Sequence, residues 1–416
     1  MEQLFSDVLY GCGIVLIITI TIAFLLAFIY FLALSVFCTA TAQKHYTVVI
    51  SLDGYRWDYT EWYDTPFMDM MADKGVKSAL IPSYPSKTFP NHYSIVTGLY
   101  PDHHGIVANS FLDRTTGESF SLGNPEQKIN PVYYGGEPVW VTAQKQGLST
   151  AVFYWPGSDV RIGGQYPNTY YMYDRKPRLT IEERLDGVIG QLSLPESQRP
   201  DLIMAYYEQP DSYGHEYGPF SKKTRSVIGH IDSLLTDFHA KLVKLPIADR
   251  VNLIVLADHG MSWVGAGNSV KIASRLRPEW IEKIDGNLPA NIYCRDGFAD
   301  SVVNALQGLD HARVWKKENV PARLNYGTNQ RVGEVIVDPD LGYIIDERDL
   351  PGGGMHGFDP ACLDMHALFR AMGPDFKHVE IPHFRNVDIY PLLCRLLGIK
   401  PADNDGCVEE IAEILK

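Results

Sequence analysis

From Val8 to Gln43 the chain carries no charged residue, and Ile14 to Phe37 is almost continuously apolar. A run of that length can cross a bilayer as one helix, and it lacks the polar face that a buried core helix keeps. Residues 1–43 therefore read as a membrane or export segment. It is either a cleaved signal, with Ala40-Thr41-Ala42 as its small-x-small site, or a retained anchor. Glu2 and Asp7 are the only charges before the apolar run, so flanking charge assigns no orientation.

Past the leader the pattern changes to short β-branched runs that end in acidic or histidine residues. Tyr46 to Leu52 (YTVVISL) meets Asp53-Gly54, Leu202 to Tyr207 (LIMAYY) meets Glu208-Gln209-Pro210-Asp211, and Val251 to Leu256 (VNLIVL) meets Ala257-Asp258-His259-Gly260. Continuous apolar runs bounded by turn residues predict buried parallel strands. Helix-period stretches at Ile181 to Leu192 and Thr224 to Lys244 alternate with these runs. The alternation predicts an α/β fold, a central, mostly parallel sheet flanked by helices on both faces. Ligands in such sheets bind beyond the carboxyl ends of the strands, so the acidic and histidine residues converge on one edge. Residues 262–353 break the alternation, with isolated strands at Arg331 to Val337 and Tyr343 to Ile345 among many turns. They predict a cap inserted into one domain that covers residues 44–416.

With 45% hydrophobic and 21% charged residues the chain is expected to fold. Its 37 basic against 50 acidic side chains leave a net charge of -13, which excludes the broad cationic field of a nucleic-acid duplex binder. Four cysteines follow the leader, Cys294, Cys362, Cys394 and Cys407. An even count in an exported chain permits two disulfides, and buried free thiols are the alternative.

The strand ends supply metal-binding chemistry. Asp211 and His215 stand four apart, a spacing that aims both at one point if the segment is a helical turn. His356 offers a third ligand, and the glycines around it (Gly353, Gly354, Gly357) permit close backbone approach. Asp53 and the pair Asp258-His259 suit a second site. Taken singly, an aspartate after a strand is an ordinary turn former or cap. Thr88 lies two residues before Pro90, which suits the first turn of a helix. At that position a threonine is either an N-cap or a hydroxyl placed where amide hydrogens and the helix dipole favour an anion.

The ordered set Asp53-Gly-Tyr-Arg56, Pro85-Ser-Lys-Thr-Phe-Pro-Asn-His92, Thr97-Gly-Leu-Tyr-Pro-Asp-His-His-Gly105, Asn109, Glu208-Gln-Pro-Asp-Ser-Tyr-Gly-His215, Ala257-Asp-His-Gly-Met261 and His356-Gly-Phe358 resembles the nucleotide pyrophosphatase/phosphodiesterase family of the alkaline phosphatase superfamily. The resemblance runs from Tyr46 to Leu415. It implies two zinc ions, one on Asp211, His215 and His356, the other on Asp53, Thr88, Asp258 and His259, with Asn109 contacting a phosphoryl oxygen. It also implies that Thr88 attacks phosphorus, forming a phospho-threonine ester that is then hydrolysed. Phe89 and Tyr173 fall where nucleotide-cleaving members hold a two-ring clamp on a base, with Tyr170 or Tyr171 as alternatives to Tyr173.

Sulfatases of the superfamily resemble Cys-or-Ser-x-Pro-x-Arg at the nucleophile, which Thr88-Phe-Pro-Asn-His92 does not match. No arginine occurs between Trp57 and Asp113 to neutralise a phosphomonoester dianion. The implied function is hydrolysis of nucleotide diesters or pyrophosphates to a nucleoside 5'-monophosphate, on an exported protein that is free or held by its leader. A lysophospholipid or choline-phosphodiester hydrolase and a non-catalytic surface receptor ectodomain are the alternatives. His92, His103 and His104 also match the family motifs; no chemistry is assigned to them, and the last two are expected to structure a loop.

Overall fold

In the computed structural model, which describes residues 20–28, 43–174 and 176–416, the three apolar runs are neighbouring strands with the boundaries their pattern implies. The main sheet consists of β1 (Tyr46–Leu52), β2 (Val76–Ile81), β3 (Thr150–Phe153), β4 (Thr169–Tyr171), β5 (Leu202–Tyr207), β6 (Val251–Leu256), β7 (Ala367–Met372), β8 (Val379–Glu380) and β9 (Phe384–Arg385). Its order is β8-β2-β7-β6-β1-β5-β3-β4, with β9 also on β2. β1 pairs in parallel with both β5 and β6, and only β7 runs antiparallel to its neighbours. Every residue of β1 is buried, which is why the run is apolar on both faces.

Helices α1 (Pro66–Lys74), α2 (Thr88–Thr97), α3 (Ile181–Leu192), α5 (Lys222–Leu242) and α6 (Ile389–Leu396) contribute buried residues to the core around this sheet, while α4 (Asp211–Tyr217) follows the end of β5 and packs on α5 and on the Gly353–Met355 strand. A Thr180–Glu183 capping box starts α3 where the pattern begins. Ser221 caps α5 through the Thr224 amide, so that helix starts two residues before the expected Thr224.

The 262–353 stretch folds around a hydrophobic cluster of its own that includes Ile292, Val302, Leu306, Val335 and Val337. A four-stranded antiparallel sheet (Ile281–Asp285, Ala290–Cys294, Val335–Pro339, Ala312–Lys316) supplies most of it. The strand expected from Arg331 begins instead at Val335. Arg331 is occupied elsewhere, donating to Asp113 at 2.8 Å and to the carbonyls of Gly105 and Tyr133 at 2.9 and 2.8 Å. Those bonds, with Asp102 accepting the amides of Gly327, Thr328 and Asn329, fasten the stretch to the loops after α2.

Asp338 sits wholly buried on this sheet, bonded to Tyr84 Oη at 2.9 Å and Arg313 Nη2 at 2.7 Å. Burial outweighs both partners and pushes its carboxyl up to about 6. The folded protein thus holds this proton more tightly than the unfolded chain, so its contribution to stability falls as pH rises from about 4 to about 6 and is level above that. Urea unfolding should show a loss of about 3 kcal/mol over that window from this group. Asp338→Asn should remove that part of the slope; an unchanged pH profile would count against the assignment.

Among the described residues no helix is long and apolar enough to cross a membrane. Residues 20–28 of the leader are helical, while the rest of the expected span and Ala40-Thr41-Ala42 lie outside the described residues. Cys294, Cys362, Cys394 and Cys407 are all free thiols, so neither permitted disulfide is present. Cys394 lies in the hydrophobic core, and burial pushes its thiol up to about 12.

Candidate metal centre and active site

β1, β5 and β6 end side by side, and the residues that leave them turn toward one point. The Asp211 amide donates to the Asp53 carbonyl at 3.0 Å, which pins the start of α4 to the end of β1. The helical turn of α4 then brings His215 Nε2 to 3.4 Å from Asp211 Oδ1. A two-stranded ribbon, Ser262–Val264 with Gly353–Met355, carries His356 to the same place, its Nε2 3.7 Å from that oxygen. A β-carbon on Gly354 would lie 2.0 Å from the Gly214 carbonyl, so glycine is what lets the ribbon reach the helix.

His259 Nε2 lies 3.4 Å from Asp53 Oδ1, 3.1 Å from Asp258 Oδ2 and 3.2 Å from Thr88 Oγ1. Among the described residues, two groups have ligand atoms close enough to hold an ion: Asp211, His215 and His356, and Asp53, Asp211 and His259. Asp211 belongs to both.

The donor set fits a pair of cations. Asp53 Oδ1, Asp211 Oδ1 and Asp258 Oδ2 are buried with no hydrogen-bond partner, an expensive condition for carboxylate oxygens unless a cation meets them. Each imidazole commits Nδ1 to a backbone carbonyl, His215 to Gly354 at 2.7 Å, His259 to Gly260 at 2.8 Å and His356 to Ser86 at 2.8 Å. That fixes the tautomer and turns the Nε2 lone pairs inward, the usual support for a ligating histidine. Burial, then the neighbouring Asp258 and Asp211, push the Asp53 carboxyl well above its usual range. Burial also raises Asp258 and Asp211 and holds His259 and His356 well below the ordinary imidazole range. Three crowded carboxyls beside neutral imidazoles make a site short of positive charge.

Thr88 is the first residue of α2, and it is not the cap: Lys87 holds that position and makes no side-chain cap bond. The hydroxyl faces His259 instead. Asn109 Oδ1 accepts the Phe89 amide at 3.2 Å, which sets the Asn109 side chain beside the start of α2. Phe89 and Tyr173 meet edge to face, with ring centroids 5.2 Å apart and planes at 86°. Tyr171 stacks on Phe153 and Tyr170 on Tyr166. Tyr173 is therefore the one of the three tyrosines described against Phe89.

Sequence reasoning missed several residues that build this place. Tyr206 Oη donates to Asp53 Oδ2 at 2.6 Å. His92 donates from Nδ1 to the Thr88 carbonyl at 3.0 Å and accepts from Ser51 Oγ at 2.8 Å. Lys87 donates to the His356 carbonyl at 2.8 Å; burial pushes its ammonium down to about 8 against the pull of Asp211. Tyr206 gave a signal, a hydroxyl-bearing residue near the end of an apolar strand that leads to Asp211. His104 is buried against Ser94 and the Pro90 carbonyl, and His103 pairs with Asp405, so both organise the loop after α2.

Comparison with known proteins gives this arrangement its relatives. The family model described as "Type I phosphodiesterase / nucleotide pyrophosphatase" matches residues 47–359. Human ectonucleotide pyrophosphatase/phosphodiesterase family member 1 is 36% identical over 405 residues, covering 91% of this chain and 43% of the relative. Venom phosphodiesterase of Macrovipera lebetinus is 33% identical over 402 residues, 91% of this chain and 46% of that protein. The chain thus spans less than half the length of these curated relatives. Among solved structures, murine ectonucleotide pyrophosphatase/phosphodiesterase 5, an inactive threonine-to-alanine variant in complex with AMP, superposes with a TM-score of 0.84 at 32% identity, over 89% of this chain and 100% of that one. The human counterpart gives 0.84 at 33%. On the extent of these matches, the chain belongs to the type I phosphodiesterase/nucleotide pyrophosphatase family of the alkaline phosphatase superfamily.

Proposed function

We propose that the chain hydrolyses phosphodiester or pyrophosphate bonds of nucleotides and releases a nucleoside 5'-monophosphate, with Thr88 as nucleophile. The observation that carries this is the Thr88 hydroxyl 3.2 Å from His259 Nε2, a nitrogen that also lies 3.4 Å from Asp53 Oδ1 and 3.1 Å from Asp258 Oδ2, two of the buried carboxylate oxygens with no hydrogen-bond partner. Asp211, His215 and His356 would hold one zinc, and Asp53, Asp258, His259 and Thr88 the other, with Asp211 close to both. Zinc held there would lower the pKa of a hydroxyl and supply positive charge to the attacking and leaving oxygens of an in-line displacement.

Thr88 Oγ1 bonds to phosphorus as the bond to the leaving group breaks, and the leaving oxygen takes up a proton. Water then cleaves the phospho-threonine ester, freeing the monophosphate and restoring the hydroxyl. Asn109, beside the start of α2, and the Thr88 amide stabilise charge on the non-bridging oxygens. The AMP complex of the murine relative, and its inactivity when a threonine is replaced by alanine, support both the nucleotide and the threonine. We assign catalysis to residues 44–416, with 262–353 as an insertion, and place the protein outside the cytoplasm. The "ecto" and "venom" names of relatives support that placement.

The test is turnover of a nitrophenyl nucleotide ester against nitrophenyl phosphorylcholine. The nucleotide ester should be strongly preferred, and Tyr173→Ala should raise its KM roughly tenfold, the scale of one base stacked on one ring. A preference for phosphorylcholine would move the function to lipid head groups. No turnover of either by the zinc-loaded protein would favour a receptor ectodomain.

A further inference from the structure

Resting on the two-metal reading above, we infer that Lys87 is a positioning residue that locks His356 in its ligating pose, so that the residues just before the nucleophile also set the Asp211/His215/His356 metal site. His356 is gripped at two points by consecutive residues. Its ring donates from Nδ1 to the Ser86 carbonyl at 2.8 Å, and its own carbonyl accepts from Lys87 Nζ at 2.8 Å. Ser86 Oγ extends the grip by accepting the Gly357 amide at 3.0 Å and donating to the Phe358 carbonyl at 2.8 Å. The peptide that delivers Thr88 therefore holds the His356 loop as well.

The packing shows that the lysine is built in. Gly357 has φ +119°, and a β-carbon there would lie 2.5 Å from Lys87 Cε and 2.4 Å from the Leu288 carbonyl. Only glycine leaves room for the lysine stem to pass. His215 does not depend on this grip, because its Nδ1 donates to the Gly354 carbonyl at 2.7 Å. Neither does His259, which bonds Gly260. Removing the Lys87 ammonium therefore loosens the main chain that presents His356, a ligand of the Asp211/His215/His356 set, while the ring bonds of His215 and His259 stay in place. Outer partners of ligating histidines set ring orientation, and their loss weakens metal binding by roughly 10- to 100-fold.

Methionine at position 87 retains an unbranched stem and removes every donor. The two zinc affinities of Lys87→Met and wild type are read by competition with a chromogenic chelator, alongside thermal melts of the metal-free proteins. One affinity should weaken roughly 10- to 100-fold and the other less than about threefold, with metal-free melting unchanged. Ser86→Ala should weaken the same metal. Two wild-type zinc affinities in both variants would overturn the inference, as would equal weakening of both ions with a lowered metal-free melt. Unchanged affinities with a raised KM for nucleoside triphosphate alone would overturn it too, making Lys87 a substrate contact. A wild-type chain that binds no zinc would sink the two-metal reading along with the inference, so the two failures are distinguishable.

Discussion

Thr88→Ala should lower turnover of a nucleotide diester on the order of 10,000-fold or more, the scale seen when a covalent nucleophile is removed, while the protein stays folded. Both halves follow from where the hydroxyl points. A threonine acting as an N-cap would be missed by the helix, at about 1 kcal/mol, and not by the substrate. Here Lys87 occupies the cap position, and Thr88 Oγ1 lies 3.2 Å from His259 Nε2. Thermal melting within a few degrees of wild type, with hydrolysis lost, is the expected pair of results. Rapid quenching with labelled substrate should trap a phospho-threonine in wild type and none in the variant. Thr88→Ser, which keeps a hydroxyl, should retain part of the activity. Substantial turnover by Thr88→Ala would hand the attack to water and end the covalent reading.

How much of this place could be read from the chain depended on whether a residue's partner lay nearby in sequence. Strand ends were legible, because β1, β5 and β6 are buried on both faces and their apolar runs stop where polar loop residues begin. Asp211 and His215 were legible as a pair, because one helical turn relates them. Thr88 remained open between cap and nucleophile, since what distinguishes the two is His259, 171 residues away. The roles of Tyr206, His92 and Lys87 were hidden for the same kind of reason: each acts through a partner on another strand or loop, and of the three only Tyr206 left a local signal, its place near the end of an apolar strand. The strand expected at Arg331 failed for a related reason. A tertiary clamp to Asp113 and three backbone carbonyls takes up the arginine before the strand starts. The sharing of Asp211 between two ligand groups was not legible at all, because spacing assigns a residue to one neighbour and only the fold brings up a second.

Asp211→Ala should therefore remove more metal than the loss of any single histidine. Its Oδ1 has no hydrogen-bond partner and lies 3.4 Å from His215 Nε2 and 3.7 Å from His356 Nε2, and the residue also falls within the group formed with Asp53 and His259. His215→Ala strips a ligand from one group only. Metal analysis after gel filtration should find fewer zinc ions per chain for Asp211→Ala than for His215→Ala, with hydrolysis down about 1000-fold or more. Retention of two zinc ions by Asp211→Ala would refute the shared role. The metal-free protein should respond in the opposite sense. Burial raises the Asp211 carboxyl, so holding it ionised at neutral pH destabilises the fold until a cation arrives. Asp211→Asn should accordingly melt at or above wild type without metal and below it with saturating zinc. That crossing separates a ligand from a structural carboxylate, because an aspartate retained for packing or hydrogen bonding would destabilise both forms when replaced.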